Sequence, residues 1–256
     1  MGYVIDFSNE KYPRYILRLR GTPNGIIDLA GKCVISNHNV DYTSTPSTLG
    51  SGTALVFNGV NSYLGVNKLE KIGLDDFTIS IRVVSQNNSR GTNASAGYPY
   101  GNQNSGFFAP FVLEDPLTPS DQPHTYILFE SRVSPDVPDP QNTLCIYNRF
   151  SESTWNLYKV KYTNILSLQN FHLAIVRKDR VMKVAVNGNF IYSSAFDNIF
   201  TASKRNQYIG RFDGTSAQYR YSLYTLDDYC IIKGKALWTS DFTPPTTYLP
   251  DNLDEI

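Results

Sequence analysis

The chain has 256 residues, of which 41% are hydrophobic and 13% aromatic, and its 23 basic residues balance its 23 acidic ones. A single domain with a large core is expected, because β-sandwiches of about 200 to 250 residues are common. The balanced charge argues against binding to nucleic acid or to an anionic membrane surface. No stretch approaches the roughly 18 apolar residues that a membrane-spanning helix needs, so membrane insertion is not expected.

Residues 1–20 are predicted to form an N-terminal arm or an edge strand. Their first letters, MGYVIDFSNEKYPRY, lack the basic start and apolar middle of a secretion signal. Synthesis and assembly in the cytoplasm is therefore expected. The three cysteines, Cys33, Cys145 and Cys230, are widely spaced and odd in number, which predicts buried, free thiols.

The first clear strand signals lie on either side of Asn58-Gly59. Residues 54–57 and 63–66 are apolar runs joined by turn-forming residues, which predicts a hairpin-like pair. Residues 77–83 then alternate strictly between apolar and polar side chains. That period of two is typical of a strand with one dry and one wet face.

A long insertion at 85–125 interrupts this pattern. Its first part, residues 85–106, is rich in Asn, Ser and Gly and contains Tyr98 and Tyr100. Such a mixture is typical of binding loops, with an ordinary flexible loop as the alternative interpretation. The prolines at 110–123 and 135–140 argue against strands there, because proline donates no ladder hydrogen bond.

The most regular segment is residues 170–192. It predicts a strand, a polar corner at 178–180, a second strand, a two-residue turn at Asn187-Gly188 and a third strand. Further strands are predicted at 126–130, 144–149, 157–162, 207–212 and, in two pieces, at 219–232, and no amphipathic helix emerges. The predicted fold class is all-β: an antiparallel β-sandwich of the jelly-roll type, with two stacked sheets and long surface loops, over residues 21–250 and followed by a tail at 251–256.

The sequence predicts no catalytic residues. The adjacent acids Asp75-Asp76 and Asp227-Asp228 flank predicted strands, where turn chemistry explains them, and the three histidines lack the close spacing of a zinc site. No nucleophile elbow, phosphate loop or dinucleotide fingerprint is present. No cofactor and no metal are expected, although a loop calcium ion held by Asp136, Asp139 or Asp213 stays open.

Aromatic side chains are the better candidates for binding. Strict alternation along 155–162 places Trp155 opposite the core-facing positions, where an indole can stack on a sugar or anchor a protein contact. The alternative is that a neighbouring loop covers it. Tyr98, Tyr100 and Phe107 in the insertion are further candidate ligand-binding residues, whereas Trp238 is expected to pack internally.

Four motifs follow one another in the chain: GTALVFNGVNSYLGV, DFTISIRV, NFHLAIVRKDRVMKVAVNG and LDDYCIIKGKALWTSDFTPPT. Their order over residues 25–249 resembles laminin-G-like domains of the concanavalin A-like lectin and glucanase superfamily. Residues 236–245 resemble the modules of this type in bacteriophage tail and other virion proteins. The superfamily's glucanases carry a Glu-x-Asp-x-x-Glu strand that this chain lacks, so the resemblance implies a non-enzymatic, lectin-like sandwich in which His172 is structural.

The resulting hypothesis is a bacteriophage virion protein, a capsid decoration protein or tail appendage, that binds carbohydrate on the host surface during adhesion. Its expected partners are other virion proteins and further copies of itself, in a homo-oligomer within the virion. One alternative is a purely structural cement between virion subunits without glycan binding. A glycoside hydrolase is the third hypothesis.

Overall fold

A computed structural model of the chain describes residues 13–22, 25–43, 54–70, 72–86, 107–113, 124–131, 142–149, 155–161, 170–196, 207–213, 219–221 and 223–256. For the strands between 107 and 161 the description covers the backbone and its pairing, together with the side chain of Val160. Predictions at other positions, Tyr98 and Tyr100 among them, lie outside the described residues.

The described residues form strands and one turn of 3-10 helix, Leu253–Glu255. In chain order the strands are β1 Arg14–Thr22, β2 Gly25–Asp28, β3 Val34–His38, β4 Asp41–Thr43, β5 Ala54–Asn58, β6 Tyr63–Asn67, β7 Phe77–Gln86, β8 Phe107–Leu113, β9 His124–Ser131, β10 Asn142–Arg149, β11 Trp155–Lys161, β12 Phe171–Lys178, β13 Val181–Val186, β14 Asn189–Ala195, β15 Gln207–Ile209, β16 Arg211–Asp213, β17 Tyr219–Tyr221 and β18 Leu223–Lys233.

These strands build two antiparallel sheets that pack as a sandwich, which confirms the predicted fold class. The larger sheet has nine strands in the order β14-β13-β12-β7-β18-β1-β2, with β5 paired to β18 and β4 paired to β5. The smaller sheet has seven, in the order β11-β10-β9-β8-β15-β6-β3, and β16 pairs separately with β17.

The core lies between the two sheets and takes alternate residues from each strand. From the larger sheet it receives fully buried side chains of β7 and β12, and from the smaller sheet those of β6 and β15: Phe77, Ile79, Ile81, Val83, Phe171, Leu173, Ile175, Leu64 and Ile209. Burial of this apolar surface is the main favourable term in folding. The period-two pattern at 77–83 therefore predicted the correct inward face.

The segment at 170–192 folds as predicted. Asp179 and Arg180 both have positive φ between β12 and β13, and Asn187 and Gly188 have φ of 50° and 81° between β13 and β14. Two consecutive left-handed residues make the type of turn whose twist matches that of antiparallel strands. This part of the fold was readable because its three strands pair with one another in sequence order.

The predicted hairpin-like pair at 54–66 is wrong. β5 pairs with β18 and β4 in the larger sheet, whereas β6 pairs with β15 and β3 in the smaller one. The Asn58 side-chain oxygen accepts hydrogen bonds from the backbone N–H groups of Val60, Asn61 and Ser62 at 2.9, 3.1 and 3.2 Å. The chain thus crosses from one sheet to the other at this turn. The prediction failed because a well-capped turn does not determine which strands pair with each other.

β8 lies inside the predicted insertion at 85–125, in a segment where proline argued against a strand. The pairing of β8 with β9 shifts register between Phe108 and Phe111, and Pro110 falls in that irregularity. A β-bulge leaves a residue without ladder bonds, so the N–H that proline lacks is not missed.

The two predicted terminal segments are described in part. Residues 1–12 lie outside the description, and from Arg14 onward the predicted arm or edge strand forms β1, between β18 and β2. The tail predicted at 251–256 contains the 3-10 turn, and Leu253 in that turn is only 4% exposed. We call residues 234–256 the C-terminal strap.

The strap lies across the outer face of the larger sheet. Leu249 and Leu253 are buried in a second apolar cluster with Tyr15 and Ile232. The Tyr15 hydroxyl donates to the Pro250 carbonyl at 2.7 Å. The strap covers polar groups of that face as well as apolar ones, which decides where a ligand can reach the sandwich.

Candidate functional site

Polar and aromatic side chains gather on the outer face of the smaller sheet. The adjacent residues Leu64 and Ile209 point into the core and are fully buried, so Tyr63 on β6 and Tyr208 on β15 point outward. Strand pairing sets His38 opposite Tyr63 and sets Tyr208 opposite Gly65. We call His38, Tyr63, Tyr208 and Arg211 the aromatic patch.

The rings of the patch are in mutual contact. His38 stacks on Tyr63 with ring centroids 4.2 Å apart and planes inclined by 7°. Tyr208 meets Tyr63 edge-on, at 5.5 Å and 79°. His38 is exposed, while Tyr63 and Tyr208 are half-buried. Offset stacking and edge-to-face contacts are the favourable arrangements of aromatic pairs, so the rings support one another while part of each remains accessible.

Arg211 reaches the patch through a turn that needs glycine. Gly210 has φ of 86°, and a Cβ there would lie 2.3 Å from the ring of Phe57. This turn brings the Arg211 guanidinium to 4.6 Å from the Tyr63 ring centroid and 4.4 Å from that of Tyr208. Arg211 is only 9% exposed, so its cation–π contacts brace the two rings from a largely buried position.

The chemistry of the patch suits a ligand with both apolar and hydrogen-bonding faces. Partly exposed aromatic rings offer broad flat surfaces, and tyrosine hydroxyls and the histidine ring offer donors and acceptors. A glycine at position 65, between Ser36 and Tyr208 in the pairing, leaves a gap in the row of outward side chains. Accessible rings of this kind favour stacking contacts.

A second polar group lies under the strap and has a different character. The Ser80 hydroxyl and His172 Nε2 are 2.8 Å apart, a spacing that a catalytic pair would also show. Both residues are buried, at 1% and 3% exposed. Burial and the nearby Arg82 charge lower the pKa of His172 to about 3. His172 is thus buried and hydrogen-bonded, which is consistent with the structural role expected for it.

Two strap rings cover that histidine. Trp238 and Phe242 stack at 4.2 Å with planes inclined by 5°, and each meets His172 nearly at right angles, at 5.4 and 5.8 Å. Trp238 is half-buried and packs against the second apolar cluster as well as on Phe242, so the expected packing role is confirmed although its ring is not fully internal. Substrate cannot reach the Ser80–His172 pair while the strap lies in this position.

The adjacent acids Asp227 and Asp228 also lie under the strap. They occupy a bulge inside β18, where Asp228 has φ of 44° and donates its N–H to the Asp227 carboxylate at 2.9 Å. The Tyr248 hydroxyl donates to Asp227 at 3.0 Å. Burial, with the Asp227 charge, raises the pKa of Asp228 to about 6 against the opposing effect of Arg18. Both acids are buried, which argues against an accessible acid–base pair.

The residues predicted to bind ligand are only partly placed. Trp155 begins β11, paired with Arg149, at the far edge of the smaller sheet. Since β11 is four strands from β15, roughly 19 Å separates it from the patch at about 4.8 Å per strand. Phe107 begins β8, next to β15, and Tyr98 and Tyr100 lie outside the description. These candidate sites stay predictions.

Sequence reasoning missed all four members of the patch. Tyr63 and Tyr208 were recognised only as strand residues, and they become neighbours through the pairing of β6 with β15. Alternation predicts only the face of its own strand on which each tyrosine lies. Their juxtaposition had no signal in the sequence.

Within the described ranges, no group of three or more His, Cys, Asp or Glu side chains is arranged to hold a metal ion. Of the calcium candidates, Asp213 ends β16, and Asp136 and Asp139 fall in undescribed segments.

Cys230 is a buried free thiol and Cys33 a half-buried one. In the part of the chain that the structure describes, no helix has the length and apolar character to cross a membrane.

Comparisons with known proteins identify a shared fold. No protein-family model and no curated protein matches the sequence. The solved binding domain of Paraclostridial Mosquitocidal Protein 1 is similar with a TM-score of 0.56 and 16% identity, over 87% of this chain and 49% of that one. The binding domain of botulinum neurotoxin DC in complex with SialylT gives 0.53 and 13%, over 93% and 48%.

A second structure of the neurotoxin domain, in complex with rat synaptotagmin II, gives a TM-score of 0.53 and 14% identity, over 93% of this chain and 49% of that one. The chain thus spans about half the length of each of these structures. At such identities the likeness is one of fold: this chain has the β-sandwich that forms part of those binding domains.

Proposed function

We propose that this chain is a non-catalytic, lectin-like domain that binds glycan through the aromatic patch. The observation that carries the proposal is the contact between the partly exposed rings of Tyr63, Tyr208 and His38 on the outer face of the smaller sheet. Sugar rings present apolar C–H faces edged by hydroxyls, and pockets for such ligands combine aromatic walls with a few polar groups.

The contrast between the two outer faces supports this choice. On the larger sheet, the strap covers the polar side chains, including the Ser80–His172 pair and both acids. On the smaller sheet, His38 is exposed and two tyrosines are half-exposed. The buried acids and the buried serine also support a binding role over hydrolysis, the third hypothesis.

A glycan array tests the proposal. The wild-type chain and Tyr208→Ala are compared on bacterial surface glycans, and the variant should weaken saturable binding about tenfold, equivalent to ~1.4 kcal/mol. Tyr208→Phe keeps the ring and should retain most of the binding. Tyr42→Ala is the matched control, since Tyr42 is 45% exposed on β4 of the other sheet.

Two further variants separate this site from those predicted from sequence. Trp155→Ala and deletion of residues 94–106 should leave binding intact if the aromatic patch is the site. Loss of binding in either of them, with Tyr208→Ala unaffected, would move the site to the edge strand or the insertion. No saturable binding to any glycan would favour the structural cement, and release of reducing ends from polysaccharide would favour the hydrolase.

In the same proposal the chain is a component of a bacteriophage virion, as a capsid decoration protein or a tail appendage. It assembles in the host cytoplasm, contacts other virion proteins and forms a homo-oligomer there. What supports this placement is the resemblance of residues 236–245 to modules of virion proteins. Antibodies against the chain should label purified particles at the head or the tail, and unlabelled particles would refute the placement.

A further inference from the structure

A cleft of about 320 Å³ opens where the strap meets the start of β1. Arg14, Tyr15 and Arg18 of β1 form one wall, the turn at Leu29 and Ala30 a second, and strap residues around Leu253 the third. The volume lies at the small end of the range for ligand pockets, about 300 to 1,000 Å³. It is suited to one or two sugar rings.

Arg18 is a buried cation in this cleft. Its side chain is 6% exposed, and its terminal nitrogens donate to the Asp251 carboxylate and to the Leu249 carbonyl. Its Nε is buried and has no hydrogen-bond partner among the described residues. The terminal nitrogens carry four N–H groups and make these two hydrogen bonds, so the guanidinium retains donors for a ligand oxygen.

The carboxylate that is hydrogen-bonded to Arg18 is exposed to water, whereas the buried Asp228 acts on Arg18 through its charge. The Asp251 side chain is 97% exposed although its carboxylate bonds to an almost fully buried guanidinium. An ion pair with one member fully solvated contributes little to stability. A carboxylate from solution could therefore take the place of Asp251 at small cost, while Leu249 and Leu253 keep the strap anchored.

We propose that this cleft binds the carboxylate of an acidic sugar, with Arg18 holding the anion and Asp251 competing for the same guanidinium. The other walls fit the sugar ring: the Tyr15 ring, over which Arg18 lies at 4.8 Å, and the aliphatic groups of Leu29, Ala30 and Leu253. Bidentate pairing with carboxylate is the geometry that arginine favours.

The neighbouring charges leave Arg18 as the main anion-binding group. Arg14 donates to Glu70 at 2.6 Å, and Lys233 donates to the same carboxylate at 2.8 Å. Although burial alone would raise the pKa of Glu70, these two hydrogen bonds lower it below its usual value. Glu70 therefore stays ionised, and together with Asp75, which lies 3.4 Å from the Lys233 ammonium, it balances both cations. The site is independent of the aromatic patch, which lies on the other sheet.

The test is an NMR titration of the full chain with glucuronate, with glucose and with sulfate. Glucuronate should shift the backbone amide signals of residues 14–18, 29–30 and 251–253, and glucose and sulfate should not. Asp251→Asn removes the competing anion and should tighten glucuronate binding about threefold. Asp254→Asn is the matched control, an exposed acid of the same strap, and should change nothing.

Arg18→Lys keeps a positive charge but loses the planar fork, and it should weaken binding at least tenfold while the circular dichroism spectrum confirms folding. If glucuronate binds neither the wild-type chain nor Asp251→Asn, the proposal is wrong, whatever the Arg18 variant shows. Equal binding of sulfate or glucose would also overturn the proposal, because neither molecule carries a sugar carboxylate. Loss of patch binding in Tyr208→Ala with glucuronate shifts unchanged would show that the two sites are distinct.

Discussion

Asp228 shows how one buried carboxylate ties stability to pH. Its pKa rises from 3.8 to about 6 in the folded chain, with burial as the largest cause. Because the native state holds this proton more tightly than the unfolded chain, the contribution of Asp228 to stability is complete below pH 3.8. It is lost as the pH rises through about 6.

Asp228→Asn should therefore stabilise the chain by about 2 to 3 kcal/mol at pH 7.5 and by little near pH 4. Asparagine also tolerates the left-handed backbone at this position, where φ is 44°. Urea unfolding of both proteins at the two pH values measures the difference. An equal gain at both values would show that Asp228 does not titrate as described.

His172 acts in the opposite direction. Its pKa falls to about 3 through burial and the Arg82 charge, so the unfolded chain binds a proton below pH 6.5 that the folded chain refuses. Stability is lost from this source as the pH falls from 6.5 towards 3. Comparing Asp228→Asn with wild type at each pH cancels this contribution, since both proteins contain the same histidine.

At the scale of elements, the hairpin turn between β13 and β14 is also a contact site of the strap. The Phe242 N–H donates to the Gly188 carbonyl at 3.0 Å. A Cβ on Gly188, whose φ is 81°, would lie 1.8 Å from the Phe242 carbonyl oxygen. Alanine there would force the turn and the strap apart.

Gly188→Ala should destabilise the chain by about 3 kcal/mol or more, from backbone strain of about 1 to 2 kcal/mol and a steric clash of similar size. Gly31→Ala is the matched control: its φ is 65°, but no atom lies within 4 Å of the added Cβ. It should cost the strain alone. Thermal or urea unfolding gives both values, and equal losses would mean that the strap does not press on the turn.

Pairings between strands that are neighbours in sequence could be predicted, and pairings between remote strands could not. The three strands at 170–192 pair in sequence order, and their turns carry their own signal in Asp179-Arg180 and Asn187-Gly188. The partners of β5 and β6 lie far along the chain, so the turn at Asn58 was misread as a hairpin. Pro110 in β8 is tolerated by a bulge, a feature of the pairing that composition does not reveal.

At the scale of the molecule, both sheets contribute to one core, and this predicts cooperative unfolding. The chain has two tryptophans, so Trp155→Phe leaves Trp238 in the strap as the single reporter. Its fluorescence and the far-ultraviolet circular dichroism of the sheets should change at the same urea concentration. An earlier fluorescence change would show that the strap detaches before the sandwich unfolds.

The candidate site belongs to this largest scale as well. The inward faces of strands follow from alternation, and the sandwich follows from the number of strands and turns. The aromatic patch requires the register of β3 on β6 and of β6 on β15, and the acidic-sugar cleft requires the strap to return to β1. Local composition predicts neither the register of these strands nor the packing of the strap against β1. For this reason the sequence pointed to Trp155 and to the insertion instead.

The position of β1 has a consequence for how the chain is made. β1 forms at Arg14–Thr22, yet its ladder partner in the middle of the larger sheet is β18, Leu223–Lys233. The ribosome must therefore release β18, about 200 residues after β1, before that ladder can close, and pairing between such remote segments is slow. Until β18 is available, the early strands have unpaired backbone groups along their edges. A chaperone that shields these edges would therefore raise the yield of folded molecules.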